Sequence, residues 1–434
     1  MDPLLLVALG LGALFVLIAL HVPIGVAMAI VGIVGFWMQI GVWGPAFSLL
    51  GIEAVGLLTS TDLAVIPLFL LMGSFATAGG LSRDIFNLIN AFLGHRRGGL
   101  AMATVGGCAI FGSICGSSPA TAATFGRVAL PEMRRLGYAP TLAGGSIAAG
   151  GTLGSLVPPS IVMVIYAVIT EQFILDMFVA ALIPAALAVV FSFALIWLWV
   201  FLRPEVAPAG ERLSWRIRGH AVLKGWRVIL LFGSVSGGIY GGVFTITEAA
   251  ALGAVMAFLF ALLGGQMTMA TFWEALASTA KNSAMVYVAA LGALVFGYFI
   301  GISQAPVHLV RSVEALALEP IMVIVLLLVM YLILGCIFDT VAAMLITLPF
   351  VAPLVAGMGY DLIWWGVVMI VVIEIGLITP PIGLNVFILH GVARDLKLST
   401  VFRGVLPFVG ADLLRLALLV AVPALSLWLP SVIR

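Results

Sequence analysis

The sequence has very little charge. Asp, Glu, Lys and Arg make up only 9% of its 434 residues, whereas 63% of the residues are hydrophobic and the mean hydropathy is +1.28. Such a composition is outside the range of ordinary water-soluble domains. The formal net charge of +1 also argues against a nucleic-acid partner. The chain is therefore predicted to be a polytopic membrane protein that is surrounded by the lipid bilayer and has no nucleic-acid partner.

Cysteine and catalytic motifs are scarce as well. The three cysteines, Cys108, Cys115 and Cys336, stand in apolar sequence without the spacing of a metal site, and we interpret them as small core residues. The chain contains no His-Glu-x-x-His, no Gly-x-Ser-x-Gly and no phosphate-binding loop. These absences argue against an enzyme and against direct ATP coupling within the chain.

Long apolar runs are what the sequence has in abundance. Segments such as Ile174–Leu202 and Leu406–Pro430 reach the length of about 20 residues that a helix needs to cross a bilayer, so an all-α fold is predicted. Leu4–Leu20 is interpreted as a retained first helix because no basic signal-peptide region precedes it. We also predict an interfacial arm at Gln266–Ala280 and a separate span at Lys281–Ser303.

A hydrophilic segment divides the chain. Residues 204–227 are polar and rich in arginine, and they are predicted to be a cytoplasmic linker. On this basis the first unit is residues 1–203 and the second is residues 228–434.

One apolar region is interrupted by polar residues. The stretch Gly112-Ser-Ile-Cys-Gly-Ser-Ser-Pro-Ala-Thr-Ala-Ala-Thr124 carries five hydroxyls, two glycines and a proline. In hydrocarbon, unsatisfied polar groups are costly, so a broken segment must be buried in protein or line a polar cavity. We predict a re-entrant hairpin at about residues 99–135, with an unwound turn at Cys115–Pro119. The alternative is one kinked helix whose hydroxyls bond to its own carbonyls.

Other segments show the same kind of interruption. The motif Gly150-Gly-Thr-Leu-Gly-Ser-Leu-Val-Pro-Pro-Ser160 lies within residues 139–170, and its prolines and glycines predict a helix that is broken near its middle. In the second half we predict a hairpin at about residues 319–357 and another broken helix at about residues 361–392.

The two halves are related by a fixed offset. Adding 222 to the residue number places Gly137-Tyr138 on Gly359-Tyr360 and Pro158-Pro159 on Pro380-Pro381 without a gap. A Gly-Tyr pair and a Pro-Pro pair that recur at one separation indicate an internal repeat.

The second copy is predicted to be inverted. We count five crossings in each half, because a re-entrant hairpin leaves by the side at which it enters, and an odd number of crossings reverses the next copy. The base of the first hairpin carries Arg134 and Arg135, whereas that of the second carries Glu319 and Asp361. Since basic residues mark the cytoplasmic side, we expect the hairpins to enter from opposite sides. Both chain termini are then expected to face outward.

The interruptions supply two kinds of ligand. Free carbonyls and hydroxyls suit Na⁺, whereas freed amides and helix N-termini favour an anion. For each Ser or Thr the alternative is a hydrogen bond within its own helix. The candidate sodium ligands are Ser113, Gly116, Ser117, Gly150, Thr152, Pro158, Asp339, Thr340, Thr379 and Pro380, and the candidate substrate-binding residues are Ser118, Thr121, Arg127 and Asn385.

Three ionisable residues are close to the predicted interruptions. Asp339 is interpreted as a cation ligand or a hairpin-stabilising acceptor, and the alternative is a residue at a water-exposed edge. Glu374 is either an ion-coupling or proton-coupling group or a hydrogen-bonded packing group, and the sequence favours neither. Arg127 is a candidate partner of a substrate carboxylate, although such an arginine more often pairs locally or extends towards the interface.

With these motifs the chain resembles the large membrane subunit of tripartite ATP-independent periplasmic (TRAP) transporters, the DctM-like proteins. The likeness rests on the two motifs quoted above, on Asp339-Thr340 with Pro349, and on Gly376-Leu-Ile-Thr-Pro-Pro-Ile-Gly-Leu-Asn385. It implies an elevator-type transporter of the bacterial inner membrane. By this likeness it takes up a C4-dicarboxylate, a sialic or other sugar acid or a similar carboxylate, with Na⁺ as the coupling ion.

The resemblance also implies partners and moving parts. A periplasmic substrate-binding protein would deliver the substrate, and a small four-helix membrane subunit, expected on a separate chain, would complete the permease. The hairpins and broken helices would move, while Leu4–Val42, Ile174–Leu202 and their second-half counterparts would form the scaffold. The alternatives are a stand-alone ion-coupled anion carrier of a related elevator fold and, from another class, an ion channel.

Overall fold

The structure, a computed structural model, describes residues 3–210, 214–315 and 318–433. Across these residues the chain is helical and has no β-strand, which confirms the predicted all-α fold. The terminal residues Met1, Asp2 and Arg434, which were expected to face outward, lie outside the described residues, as do residues 211–213 of the predicted linker.

The helices of the first half follow one another with short connections. In order they are α1 (Pro3–Ala19), α2 (Ile24–Ile40), α3 (Trp43–Thr59), α4 (Val65–Ala78), α5 (Leu81–Leu93), α6 (Gly99–Cys115), α7 (Ser118–Arg135), α8 (Pro140–Leu156), α9 (Ile161–Ile169) and α10 (Ile174–Leu202).

The predicted linker contains a helix, and the second half continues from it. In order the helices are α11 (Trp215–Lys224), α12 (Trp226–Tyr240), α13 (Ile246–Leu263), α14 (Met269–Ile302), α15 (Ala305–Ala315), α16 (Pro320–Ile337), α17 (Thr340–Gly357), α18 (Leu362–Gly376), α19 (Leu384–Val392), α20 (Leu398–Ala421) and α21 (Ala424–Ile433).

Several helices are long and apolar enough to cross a membrane. Among the described residues these are α10, α13, α14, α16, α17 and α20, each with 18 residues or more. Three bent pairs reach such a length together: α4 with α5, α8 with α9, and α11 with α12, with bends of 68°, 40° and 55°. The predicted polytopic membrane protein is therefore confirmed.

The helix bounds preserve the offset of 222 residues. The helices α7 and α17 begin at Ser118 and Thr340, and both have 18 residues. The helices α2 and α13 begin at Ile24 and Ile246. Because helix starts depend on local sequence, this agreement indicates that the two halves follow one helical plan.

One element departs from that plan. The helices α3 and α4 are separate, whereas the corresponding residues of the second half lie in the single helix α14, so the break predicted after Ala280 is wrong. Pro67 in the first turn of α4 cannot donate to the carbonyl of Leu63, four residues earlier. That carbonyl accepts from the amide of Ile66 and from the hydroxyl of Tyr287, both at 3.0 Å. The second half has Ala289 at the corresponding position, and the helix continues.

The helices pack in two groups. In the first group α2 packs along α14 and α4 packs along α13, so each half contributes one helix to each pair. In the second group α8 contacts α6, α7 and α20, and α18 contacts α16, α17 and α10. The interruptions of both broken helices therefore lie within the second group.

The helix α10 belongs to the second group. The resemblance implied that Ile174–Leu202 is part of the scaffold, whereas its contacts with α6, α18, α20 and α21 place it with the hairpins and broken helices. The physical reason is its small-residue surface: Ala180, Ala181, Ala185 and Ala188 are all buried and allow close packing.

Glycines make the closest contact between α2 and α14. A Cβ atom on Gly292 would lie 2.0 Å from the carbonyl oxygen of Gly25, and a Cβ atom on Gly25 would lie 2.4 Å from that of Val288. The two backbones therefore touch, as small residues permit between membrane helices. Near the end of the same helix, a Cβ atom on Gly301 would meet open space.

The change Gly292→Val is expected to force α2 away from α14. It should lower the free energy of unfolding by about 2 kcal/mol or more, because overpacking a close contact typically costs about 1–3 kcal/mol. The matched change Gly301→Val should alter it by less than about 0.5 kcal/mol. Thermal unfolding of the purified protein in detergent measures both, and equal unfolding temperatures for the two variants would contradict this packing.

Candidate functional site

The first hairpin turns within two residues. The helix α6 ends at Cys115, and Gly116 adopts a left-handed conformation with φ 64°, which glycine tolerates best. Its amide donates to the carbonyl of Gly112 at 2.6 Å. Ser117 is extended, and its hydroxyl accepts from the amide of Ala120 in the first turn of α7. The interruption lies inside the stretch for which an unwound turn was predicted.

The second hairpin turns at the matching place. The helix α16 ends at Ile337 and α17 begins at Thr340, with Phe338 and Asp339 in extended conformations between them. Asp339 is the N-cap residue of α17, where a negative charge interacts favourably with the helix dipole. Its side chain is exposed, so the carboxylate at this tip is accessible to an ion or to water.

Each broken helix is interrupted at its Pro-Pro pair. Residues 157–160 separate α8 from α9, and residues 377–383 separate α18 from α19. The Pro158-Pro159 and Pro380-Pro381 peptide bonds are both cis. Proline has no amide hydrogen to donate, so regular helix ends before each pair and begins again after it.

A carboxylate links the two hairpin tips. Glu374, near the end of α18, is only 2% exposed. Its Oε1 accepts a hydrogen bond from Thr340 Oγ1 at 2.7 Å, and its Oε2 accepts one from Ser118 Oγ. Ser118 and Thr340 are the first residues of α7 and α17, and they are related by the offset of 222. One side chain of a broken helix therefore contacts the start of the returning helix in both hairpins.

Neutral donors surround this carboxylate. A buried carboxylate without partners would cost several kcal/mol. Here two hydroxyls donate to it, and the N-termini of α7 and α17 next to it carry partial positive charge. Among the described residues, no Lys, Arg or His forms an ion pair with Glu374. The site can therefore hold a negative charge while leaving oxygen lone pairs for a further ligand.

Ser118 also connects the hairpin to the first broken helix. Its hydroxyl lies 3.0 Å from Ser155 Oγ and 3.3 Å from the carbonyl oxygen of Thr152, and its amide donates to Ser155 Oγ at 3.3 Å. Ser118 has one hydroxyl proton, so when it donates to Glu374 the proton between the two serines comes from Ser155. Sequence reasoning missed Ser155, although it stands three residues before Pro158 in the quoted motif.

Glycines bring each hairpin against its broken helix. A Cβ atom on Gly154 would lie 2.6 Å from the carbonyl oxygen of Ser117 and 2.6 Å from Thr121 Oγ1. In the second copy a Cβ atom on Gly376 would lie 2.6 Å from the carbonyl carbon of Gly335. Any larger residue would separate the tips from the interruptions, so these glycines are required for the arrangement around Glu374.

Four candidate hydroxyls bond within their own hairpin or helix. Each donates to a backbone carbonyl three or four residues earlier, at 2.6–2.8 Å: Ser113 to Ile110, Thr121 to Ser117, Thr152 to Ala149 and Thr379 to Ile375. This is the alternative that applies to any single Ser or Thr in a membrane helix. Ser118 and Thr340 differ because their hydroxyls reach another element.

Two further candidates lie away from the carboxylate. Gly150 packs against α6, where a Cβ atom would lie 3.0 Å from Cys108 Sγ. Arg127 is exposed and stands nine residues beyond Ser118, which is about 13 Å along the axis of α7. The structure therefore does not bring Arg127 to the hairpin tip.

Asn385 is a buried amide without a partner in the chain. Its side chain is 0% exposed, and neither its oxygen nor its nitrogen forms a hydrogen bond with a described residue. It lies beside α8, where a Cβ atom on Gly151 would be 3.3 Å from Asn385 Nδ2. Because an unsatisfied buried amide costs about 1–3 kcal/mol, Asn385 is a strong candidate to bind a group that the chain does not supply.

Comparison with known proteins identifies the family. Residues 11–425 match the family described as tripartite ATP-independent periplasmic transporter, DctM component. The chain is 37% identical over 370 residues to the C4-dicarboxylate TRAP transporter large permease protein DctM of Pseudomonas aeruginosa, with 85% of this chain and 86% of that protein covered. It is 30% identical to the sialic acid TRAP transporter large permease protein SiaM of Vibrio cholerae, with 87% and 88% covered.

Solved structures of distant sequence share the fold. The YdaH transporter of Alcanivorax borkumensis matches with a TM-score of 0.62 at 16% identity, over 88% of this chain and 89% of that one. The family is that of a transporter permease and not of an enzyme. The chain therefore belongs to the DctM component family of TRAP transporters and is a multi-pass protein of the bacterial inner membrane.

Proposed function

We propose that this permease couples the uptake of an organic carboxylate to a Na⁺ gradient. The observation that carries the proposal is the contact of the Glu374 carboxylate with Ser118 and Thr340, the first residues of two hairpin helices. Broken helices that meet at one polar site are the arrangement in which secondary transporters bind substrate and coupling ion.

The proposed sodium site uses oxygen atoms around Glu374. Each of its carboxylate oxygens accepts a hydroxyl hydrogen bond and keeps a lone pair. Carboxylate, hydroxyl and carbonyl oxygens suit a hard cation. We assign Glu374 to this site together with the candidates Ser113, Gly116, Ser117, Thr152, Pro158, Asp339, Thr340, Thr379 and Pro380, and leave Gly150 out because it packs against α6, away from the carboxylate.

The proposed substrate is an organic anion. Relatives of this chain are named for C4-dicarboxylate, sialic acid and, in Escherichia coli at 32% identity, 2,3-diketo-L-gulonate. All three are organic acids. The N-termini of α7 and α17 favour an anion, and the unpartnered amide of Asn385 can donate to one. We assign Ser118, Thr121 and Asn385 to the substrate and leave Arg127 out because of its distance from the tip.

We further propose that the two copies are inverted and that the hairpins move as one body. The tips share one carboxylate, while the bases carry opposite charge, Arg134 with Arg135 in one and Glu319 with Asp361 in the other. Hairpins that enter from opposite sides and meet at one point would end near the middle of the membrane. The packing supports a moving body that includes α10 and α20, and a second body that includes α2, α4, α13 and α14.

Membership of a tripartite family supports the proposal that this chain works with two partner proteins. We propose a periplasmic substrate-binding protein that delivers the anion and a small four-helix membrane subunit that packs beside this chain. A relative in Oleidesulfovibrio alaskensis is named isethionate TRAP transporter permease protein DctMQ, and the alignment at 31% identity covers 98% of this chain and 66% of that protein. The additional length of that relative is consistent with a second permease component joined to a chain of this kind.

The change Glu374→Gln tests the proposed ion site. Glutamine keeps the size of the side chain and its ability to hydrogen-bond with Ser118 and Thr340, but it removes the negative charge. We expect the Na⁺ concentration for half-maximal uptake to rise about tenfold or more, which corresponds to about 1.4 kcal/mol of lost ion binding. Uptake into vesicles that contain the complete system, measured as a function of Na⁺ concentration, gives this value.

The exposed linker residue Glu205 provides a matched control, and Glu205→Gln should leave the Na⁺ dependence unchanged. Asp339→Asn and Ser117→Ala should each raise the Na⁺ requirement without reducing the amount of protein in the membrane. If Glu374→Gln and Asp339→Asn both retain the Na⁺ dependence of the unaltered protein, the sodium site is not at the hairpin tips.

The dependence of uptake on partners tests the tripartite assignment. In vesicles with an inward Na⁺ gradient, we expect saturable uptake of a labelled organic acid only when the binding protein and the small membrane subunit are both present. Uptake by this chain alone would instead support a stand-alone carrier. Single-channel conductance across a planar bilayer would support a channel.

A further inference from the structure

We propose that α11 and α5 form a binding site for the headgroup of an anionic phospholipid. The helix α11 connects two apolar helices, since α10 ends at Leu202 and α12 begins at Trp226. The exposed residues Trp197, Phe201 and Trp226 flank this connection, and aromatic side chains of this kind are typical of the membrane–water interface. The helix α11 bends by 55° away from α12. It is therefore positioned to lie along the membrane surface.

An open cavity lies between α11 and α5, next to the place where the two helices contact each other. Its volume is about 520 Å³, and α11 lines it with a stripe of basic residues at a spacing of four, Arg216, His220 and Lys224, which brings them onto one face of the helix. The α5 side contributes Asp84 and Asn87. A cavity with cationic side chains on one wall and an amide on the other matches a phosphodiester, which has a negative charge and several acceptor oxygens.

The acidic residue of the cavity already has a cationic partner. Asp84 Oδ2 accepts from Arg227 Nη2 at 2.6 Å in a partly buried ion pair that links α5 to α12. Within the described residues, Arg216 and Lys224 form no ion pair at 4 Å or less. The charge of Arg216 is therefore available to an anion, and so is that of Lys224 apart from its attraction to the Asp84 carboxylate. A lipid phosphate supplies such a charge at this depth of the membrane, and anionic lipids are concentrated on the cytoplasmic leaflet.

A third arginine fixes α11 in place. The guanidinium of Arg218 lies 4.9 Å from the centre of the Trp215 ring and 6.0 Å from that of Phe92, and its Nη2 is 3.5 Å from His95 Nδ1. These contacts hold α11 against the end of α5. The arginine that anchors the helix is thus distinct from Arg216, His220 and Lys224, which line the cavity.

The outward surface of α11 suits contact with acyl chains. Trp215 is 77% exposed and Leu223 is 70% exposed. A helix with exposed apolar residues and a basic face typically binds at the surface of an anionic membrane. The apolar side chains and the cationic stripe can therefore contact the two parts of one phospholipid. The proposal concerns lipid binding and does not depend on which substrate or ion is transported.

The test uses the full chain, purified in detergent, with native mass spectrometry to measure the affinity for phosphatidylglycerol and phosphatidylcholine. We expect the unaltered protein to bind one phosphatidylglycerol on the order of tenfold more tightly than phosphatidylcholine, and Arg216→Gln/Lys224→Gln to lose this preference. The control Lys397→Gln/Arg403→Gln removes the same charge at two exposed basic residues elsewhere and should retain it.

Three results would overturn the proposal. The first is an unaltered protein that does not discriminate between the two lipids. The second is a double variant at Arg216 and Lys224 that keeps the preference for phosphatidylglycerol. The third is an equal loss in the Lys397 and Arg403 control, which would indicate general charge attraction without a site. The unfolding temperature of each variant is measured in parallel, and we expect it to be unchanged because all four residues are exposed.

Discussion

The contact between Glu374 and the starts of α7 and α17 constrains the rest of the structure. A carboxylate that is 2% exposed requires donors, because burial without them would cost several kcal/mol. Those donors come from two hairpins that are far apart in sequence, so both hairpins must turn at the same point in space. The first turn uses the left-handed Gly116, the second uses the extended residues Phe338 and Asp339, and the broken helices need prolines to end beside them. Gly154 and Gly376 then allow the hairpins to approach closely enough.

The two copies contribute different chemistry to this point. Ser117 of the first copy corresponds to Asp339 of the second, and Thr152 corresponds to Glu374. Ser118 and Thr340, which also correspond, both supply hydroxyls to the same carboxylate. The first copy therefore contributes hydroxyls and a carbonyl, while the second contributes a hydroxyl and the negative charge. A repeat that keeps its helix bounds but differs in this way produces an asymmetric site.

Much of this arrangement could be predicted from sequence because helix ends have local causes. Glycine and proline determine where α6, α8 and α18 end. Adding 222 to the helix bounds of the first half then predicts most of the helices of the second half. The membrane character follows from composition alone.

Contacts between distant elements could not be predicted in the same way. Nothing local distinguishes Ser118, which donates to Glu374, from Thr379, which donates to its own helix. The role of Glu374 and the contribution of Ser155 depend on how α7, α8 and α18 pack. The continuity of α14 depends on Ala289 in place of a proline, and the position of α10 depends on which helices its alanines meet. Each of these properties is set by tertiary contacts.

The inverted arrangement requires that hairpins from opposite sides of the membrane meet at Glu374. Labelling from one side at a time tests it most directly, with Arg135→Cys at the base of the first hairpin and Ala356→Cys at the base of the second, both at exposed positions. A membrane-impermeant maleimide, applied to intact cells and to inside-out vesicles, should react with Ala356→Cys from the periplasmic side only and with Arg135→Cys from the cytoplasmic side only. Labelling of both positions from the same side would contradict the account.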